Sequence, residues 1–200
     1  MEQRTDEWHL ARLGKVTASR ISDVMMKPST AGYQNYRSQL VCERLTGRQT
    51  QSFQSPAMLH GTETEPQARA MYMLESGNAV TETGLVDHPE WSWCAASPDG
   101  LIGSDGLVEI KCPQPTEHIR TLTGGAIQAK YVKQMQWQMF CTDRDWCDFV
   151  SFSPALPDGL QIHITTVQRD DAAINEICDH VRPFLDSVES LTEQLRTRAA

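Results

Sequence analysis

The 200-residue chain has no apolar run approaching the ~20 residues needed to cross a bilayer, so no membrane-spanning helix is expected. Its first residues, MEQRTDEWHLAR, are mixed in charge and lack an apolar segment, so neither a secretory nor a transit peptide is expected there. There is no CxxC pair. The six cysteines stand singly at 42, 94, 112, 141, 147 and 178, which speaks against a structural zinc site and a disulfide framework. Reduced, mostly buried thiols in a cytoplasmic protein are the expectation. Internal repeats and low-complexity tracts are missing. So is any basic excess: the formal net charge of −8 excludes a protein coated in positive surface.

What is present fits one domain over residues 1–200. An apolar fraction of 40% and a charged fraction of 22% are ordinary for a globular protein, and the length allows a core without covalent staples. The charge is uneven: residues 1–50 carry net +3, residues 51–111 net −7, residues 112–150 are balanced, and residues 151–200 carry −4. Most of these acids fit a solvated face. A convergent few would need a cation.

Apolar spacing predicts a short helix over 4–13 stopped by Gly14, a second from Thr17 or Ser19 to before Pro28, and a third over 33–46 stopped by Gly47. A polar loop over 48–56 and a helix over 58–75 containing Pro66 follow. Then the texture turns to strands: 79–88, 91–103, and 106–113 after the turn SDG. An amphipathic helix over 126–142 puts Ile127, Tyr131, Met135 and Met139 in register. Two more strands over 146–154 and 160–170, and a long helix over 171–198, complete the chain. The order implies an α/β (α+β) fold: a central mixed sheet flanked by helices. Residues 1–50 form a helical N-terminal segment, 58–168 the core and 170–200 a C-terminal helix.

The stretch SPDGLIGSDGLVEIKCP, residues 97–113, sets Asp99 ten residues ahead of Glu109, with Lys111 two further on. Residues two apart on a strand share a face, so Glu109 and Lys111 look the same way and Ile110 is buried opposite. Pro98 and Gly100 mark a bend at Asp99. If the strands pair through residues 104–106, Asp99 lies across from Glu109. Two carboxylates and the Ile110 carbonyl then form a hard oxygen site suited to Mg²⁺, with Lys111 placed to hold a water. That arrangement suits hydrolysis of a phosphodiester. A solvated ion pair on a strand is the plainer alternative.

P-D-x(n)-E-x-K resembles the signature of the PD-(D/E)xK nucleases. The blocks WHLARLGKVTAS, LHGTETEPQAR, SPDGLIGSDGLVEIKCP and YVKQMQWQMF occur in the order found in the phage lambda exonuclease (YqaJ-type viral recombinase) family. The resemblance covers residues 4 to about 150; beyond that the pattern of elements matches more than the residues do. It implies a restriction-endonuclease-like core and an ATP-independent, processive 5′→3′ exonuclease acting on one strand of linear duplex DNA, leaving a 3′ single strand. It further implies a pair of Mg²⁺ ions per site, replaceable by Mn²⁺, a ring-shaped homotrimer, and a single-strand annealing protein as partner. The setting is the cytoplasm of a bacterial host, with a phage- or prophage-encoded gene.

Carried over by position, Asp99, Glu109 and the Ile110 carbonyl are metal ligands and Lys111 positions the attacking water. Glu65 is the acid of the preceding helix, which joins the metal site directly or through water, with Glu63 the neighbour it is confused with, and Gln134 lines the site. Tyr131, one turn before Gln134, faces the same way or packs in the core. Arg12, Ser19 and Ser97 match residues that hold the 5′ phosphate, which suits a guanidinium fork and hydroxyl donors. Lys27 stands near where the family offers a loop arginine for DNA. Met58 falls where an apolar side chain wedges into the duplex end, and at helical spacing it also reads as a buried methionine. Basic residues of 1–50 with Lys130 and Lys133 would line the DNA channel, leaving acids outside. The alternatives are another PD-(D/E)xK nuclease, endonucleolytic or helicase-associated, a non-catalytic DNA-end-binding protein, or a non-nucleolytic metal-binding protein.

Overall fold

The structure is a computed structural model that describes residues 2–50 and 55–199. Residues 51–54 of the polar loop expected over 48–56 therefore lie outside the described residues. Helix α1 (Asp6–Ala11) is short and starts where the Thr5 hydroxyl accepts the Trp8 N–H. The chain then turns at Gly14, whose φ of +69° is left-handed and where a Cβ would meet Arg44 Cγ at 2.6 Å. The helix expected from Thr17 onward is broken up. β-Branched Val16 and Thr17 form strand β1 (Val16–Thr17), a 3₁₀ turn covers Ala18–Arg20, and α2 is only Ile21–Val24. Helix α3 (Ala31–Thr46), capped by Thr30, ends at Gly47 with φ of +63°. Helix α4 (Pro56–Ser76), capped by Ser55, runs through Pro66 without ending.

Next come β2 (Val80–Thr81), β3 (Val86–Asp87), β4 (Cys94–Ala96), β5 (Gly100–Ile102) and β6 (Gly106–Lys111). They are followed by α5 (Pro115–Leu122), α6 (Ala129–Thr142), β7 (Trp146–Phe152), β8 (Ile162–Gln168) and α7 (Asp171–Ala199). The strands form two mixed sheets. One has five strands in the order β2-β5-β6-β7-β8, with β6 and β7 parallel and the other neighbours antiparallel. The other has three strands in the order β1-β4-β3, with β1 parallel to β4.

The stretches 79–88 and 91–103, each expected as one strand, divide between the two sheets. Gly84 and Pro98 sit at the breaks, and Pro98 has no N–H to donate to a ladder. Helix α5 was not foreseen: it has only eight residues and buries one side chain, His118, which is polar. Ile127 precedes α6 instead of lying within it, yet packs against the same cluster.

Strand β6 is buried on both faces, as parallel pairing to β7 requires. Val108 and Ile110 pack with Ala68 and Tyr72 of α4, and Leu107 packs with Met135 and Met139 of α6. A third cluster joins α3 and α7 to α6 through Tyr36, Phe184 and Trp137. The cysteines are unpaired: Cys42 is exposed, Cys112 half-buried and the other four buried. Among the described residues no helix is long and apolar enough to cross a membrane.

Candidate active site

Strands β5 and β6 pair with Gly100 opposite Val108 and Ile102 opposite Gly106. Continuing that register by one residue sets Asp99 beside Glu109. The Asp99 Oδ2 accepts the Ile110 N–H at 2.7 Å. Gly100 is required at the bend: a Cβ there would stand 2.2 Å from Val80 Cγ1, so β2 closes directly over it. On β6, Lys111 and Glu109 form an ion pair on one face while Ile110 packs on the other.

Glu109 is 1% exposed, so this is not a solvated strand pair. Helix α6 lies over it. Gln134 Nε2 donates to Glu109 Oε1 at 2.6 Å, and Gln138 Nε2, one turn on, donates to Oε2 at 2.6 Å. Gln136 points elsewhere, bridging the Gln168 carbonyl and the Asp170 N–H. Tyr131 stacks on Phe149 with centroids 5.9 Å apart and sits 5.0 Å from Lys111 Nζ, so it both packs and borders the site. Sequence reasoning missed Gln138. The available signal was its four-residue spacing from Gln134.

The α4 acid is resolved in favour of Glu65, which is buried, while Glu63 is exposed. Arg69 Nη2 donates to Glu65 Oε1 at 2.8 Å and Arg4 pairs with Oε2, so both oxygens are engaged. Burial, the Glu109 charge and, further down, Glu65 push the Asp99 carboxyl well above the ordinary carboxylate range, against the pull of Lys111. Burial acts to lower the Lys111 pKa. Glu109 and Asp99 more than offset it and hold the ammonium charged. Burial, then the nearby Glu65 and Asp99, raises the Cys112 thiol to about 12, which keeps it neutral beside the acids.

These groups fit a hard divalent cation. Asp99, Glu109 and the Ile110 carbonyl are oxygen donors, and the like-charge crowding at Asp99 is what a dication relieves. Among the described residues, no three His, Cys, Asp or Glu side chains form a ready-made cluster, because Glu65 is turned to its two arginines.

Two residues before Asp99, Ser97 meets the N-terminal segment. Its Oγ accepts Trp8 Nε1–H at 3.0 Å and Arg12 Nη1–H at 3.4 Å. Arg12 also reaches Thr17 Oγ1 at 3.3 Å and lies 4.0 Å over the Trp8 ring. Burial depresses the Arg12 pKa, while Tyr36 and Glu43 favour its charge. Arg12 and Ser97 are thus brought together. Ser19 is exposed on the 3₁₀ turn, and within the N-terminal segment the hydroxyl that Arg12 touches is that of Thr17. Lys27 is exposed in the loop before α3. Met58 is 56% exposed on the first turn of α4, which corrects its reading as a buried methionine. Among the described residues, neither side chain is hydrogen-bonded or ion-paired to the acids.

Comparison with known proteins agrees with this geometry. A structure of an alkaline exonuclease, LHK-Exo, from Laribacter hongkongensis superposes with a TM-score of 0.91 at 52% identity, covering 98% of each chain. The same enzyme in complex with dAMP matches equally. A phage-related exonuclease from Haemophilus somnus shares the fold, with a TM-score of 0.70 at 19% identity over 93% of this chain and 96% of that one. An uncharacterized protein of Acanthamoeba polyphaga mimivirus is 28% identical over 163 residues, 74% of this chain; the match spans 29% of that protein's length. Residues 7–145 match the model of the YqaJ-like viral recombinase domain, most of the chain and all of the hairpin, so the chain belongs to that family.

Proposed function

We propose that the chain is a Mg²⁺-dependent, ATP-independent exonuclease. It digests one strand of linear duplex DNA from the 5′ end, processively, and leaves a 3′ single strand for phage-type recombination by strand annealing. The observation that carries this reading is the convergence of Asp99, Glu109 and Lys111 on one hairpin, with Arg12 of the N-terminal segment meeting Ser97, two residues upstream of Asp99. The 52% identical relative, called an alkaline exonuclease and also solved with dAMP, supports it.

The chain's own residues have distinct tasks. Arg12 and Ser97 hold the terminal 5′ phosphate, the guanidinium by its fork and the serine by its hydroxyl. Lys111, kept charged by its two acids, orients the attacking water and bears on the scissile phosphate. Gln134 holds the Glu109 carboxylate toward Asp99. A divalent cation held by Asp99, Glu109 and the Ile110 carbonyl would supply Lewis acidity to the phosphate and the departing oxygen. The water oxygen bonds to phosphorus and the bond to O3′ breaks. O3′ takes a proton, and a 5′-mononucleotide leaves. The phosphate of the next residue is then the new 5′ end for Arg12 and Ser97.

The wider proposal is a homotrimeric ring in the cytoplasm of a bacterial host, handing the 3′ strand to an annealing protein. The net +3 of residues 1–50, with Lys130 and Lys133, favours a DNA-facing inner surface despite the overall −8.

The test uses linear duplex with a labelled strand bearing either a 5′ phosphate or a 5′ hydroxyl, beside a closed circle, all with Mg²⁺. Fast loss of the phosphorylated strand, slow loss of the hydroxyl strand and an intact circle are expected. Cutting of the circle would replace the reading with an endonuclease, and end binding without cutting would replace it with a non-catalytic end-binding protein.

A further inference from the structure

Glu109 has one more partner than the family resemblance names. Its Oε1 accepts from Gln134 and is paired with Lys111, and its Oε2 accepts from Gln138. An ionised carboxylate has about four lone-pair sites. Three are engaged, so a single site remains, and it lies on the oxygen that Gln138 holds. Gln138 is 0% exposed, and among the described residues no donor meets its own Oε1. Buried amides normally satisfy both ends. One whose carbonyl stays idle while its N–H sits 2.6 Å from a carboxylate is there for the N–H. Its neighbours Trp137 and Met139 are fully buried, so α6 has no room to turn the amide away.

Resting on the nuclease reading above, we propose that Gln138 is a positioning residue for Glu109. By taking one of the two lone pairs of Oε2 it fixes the direction in which that oxygen meets a cation, and so favours Mg²⁺ over Ca²⁺. Mg²⁺ demands a near-ideal octahedron and so a ligand held in one direction, whereas Ca²⁺ accepts six to eight oxygens in flexible geometry. With Oε1 taken by Gln134 and Lys111, and Gln138 on Oε2, Glu109 offers a cation one lone pair in one direction. Gln134 is not equivalent: it is half-buried and shares Oε1 with Lys111, so its loss leaves that oxygen still held.

The experiment measures Mn²⁺ binding to the full chain without DNA, by the paramagnetic resonance of free Mn²⁺, and then its displacement by Mg²⁺ and by Ca²⁺. Gln138→Met keeps the length and removes the N–H. Its preference for Ca²⁺ relative to Mg²⁺ is expected to rise about tenfold, in the range typical for partners of ligating residues. Gln134→Met should move the ratio less. At saturating Mg²⁺, kcat of Gln138→Met falls about tenfold while KM for DNA ends holds. An unchanged cation ratio and kcat in a folded Gln138→Met overturns the proposal. If that variant does not fold, infrared spectra of the wild-type chain decide. Widely split carboxylate stretches on Mg²⁺ binding support one-oxygen ligation, and a narrow split overturns it. A wild-type chain that binds no Mn²⁺ and cuts no linear duplex brings down the nuclease reading, and this proposal with it.

Discussion

The Asp99 carboxylate accepts the Ile110 backbone N–H at 2.7 Å, so the first acid of the hairpin is fastened to the strand that carries the second. The bond fixes the distance between two groups that repel each other. Asp99→Asn preserves the acceptor and the shape, and removes only the charge. Cutting of linear duplex should fall by about 10³-fold in Asp99→Asn and in Lys111→Ala, while gel-shift binding to DNA ends persists. A rate within about tenfold of wild type in either variant would remove the assigned chemistry.

Arg12 is stacked on Trp8 and split between Ser97 and Thr17, an arrangement that uses the planar fork. Arg12→Lys keeps the charge and loses the fork. The rate advantage of a 5′ phosphate over a 5′ hydroxyl should shrink by about tenfold, roughly the worth of one charge-assisted hydrogen bond. Comparing the two substrates with the same variant isolates the phosphate contact from any general loss of activity.

Arg4 holds Glu65 from the N-terminal side with a backbone φ of +68°, an uncommon conformation for arginine. Its side chain is 45% exposed, so the pair contributes only about 0.2–1 kcal/mol. Arg4→Ala should therefore lower the Mg²⁺ concentration for half-maximal activity by a modest factor, roughly two- to fivefold. A higher Mg²⁺ requirement would mean that Arg4 presents Glu65 to the cation and does not compete with it.

On the α4 side of the sheet, the Tyr72 hydroxyl donates to Asp148 Oδ2 at 2.6 Å. Burial, then that bond, raises the Tyr72 pKa to about 12. Since the folded value exceeds the unfolded value of about 10, the protonated phenol contributes stability that is full below pH ~10 and lost as pH rises toward 12. Tyr72→Phe should cost on the order of 1–3 kcal/mol at pH 8 by urea unfolding. The gap between wild type and variant should close between pH 10 and 12. A gap that stays constant over that range would show that the hydroxyl does not titrate with folding.

Much of the candidate site's arrangement was legible because it is compressed into one hairpin, where alternation along a strand dictates which side chains share a face. Asp99, Glu109 and Lys111 needed only the period of two and a turn. Glu65 was separable from Glu63 only by tertiary burial, since both lie on one helix within reach of the same reading. Gln138 was harder to read: its four-residue spacing from Gln134 was visible, but a buried glutamine beside tryptophan and methionine looks like a core position occupied by chance. Its meaning depends on which strand α6 covers. The division of 79–88 and 91–103 between two sheets escaped for a related reason: short strands carry too few residues to show which partner they choose. Helix α5 escaped because its eight residues offer only about two turns in which a helical period can show.

The groups to which the proposal gives the reaction, Asp99, Glu109 and Lys111, span thirteen consecutive residues, whereas Arg12, Glu65, Gln134 and Gln138 arrive from α4, α6 and the N-terminal segment. Descent can therefore treat the two sets differently. The hairpin is inherited as a block, and a substitution within it ends the chemistry. The surrounding elements can drift one at a time, changing which DNA end or which ion is accepted while the reaction survives. Diversity in lineages bearing this fold should accordingly gather around the hairpin and spare its interior.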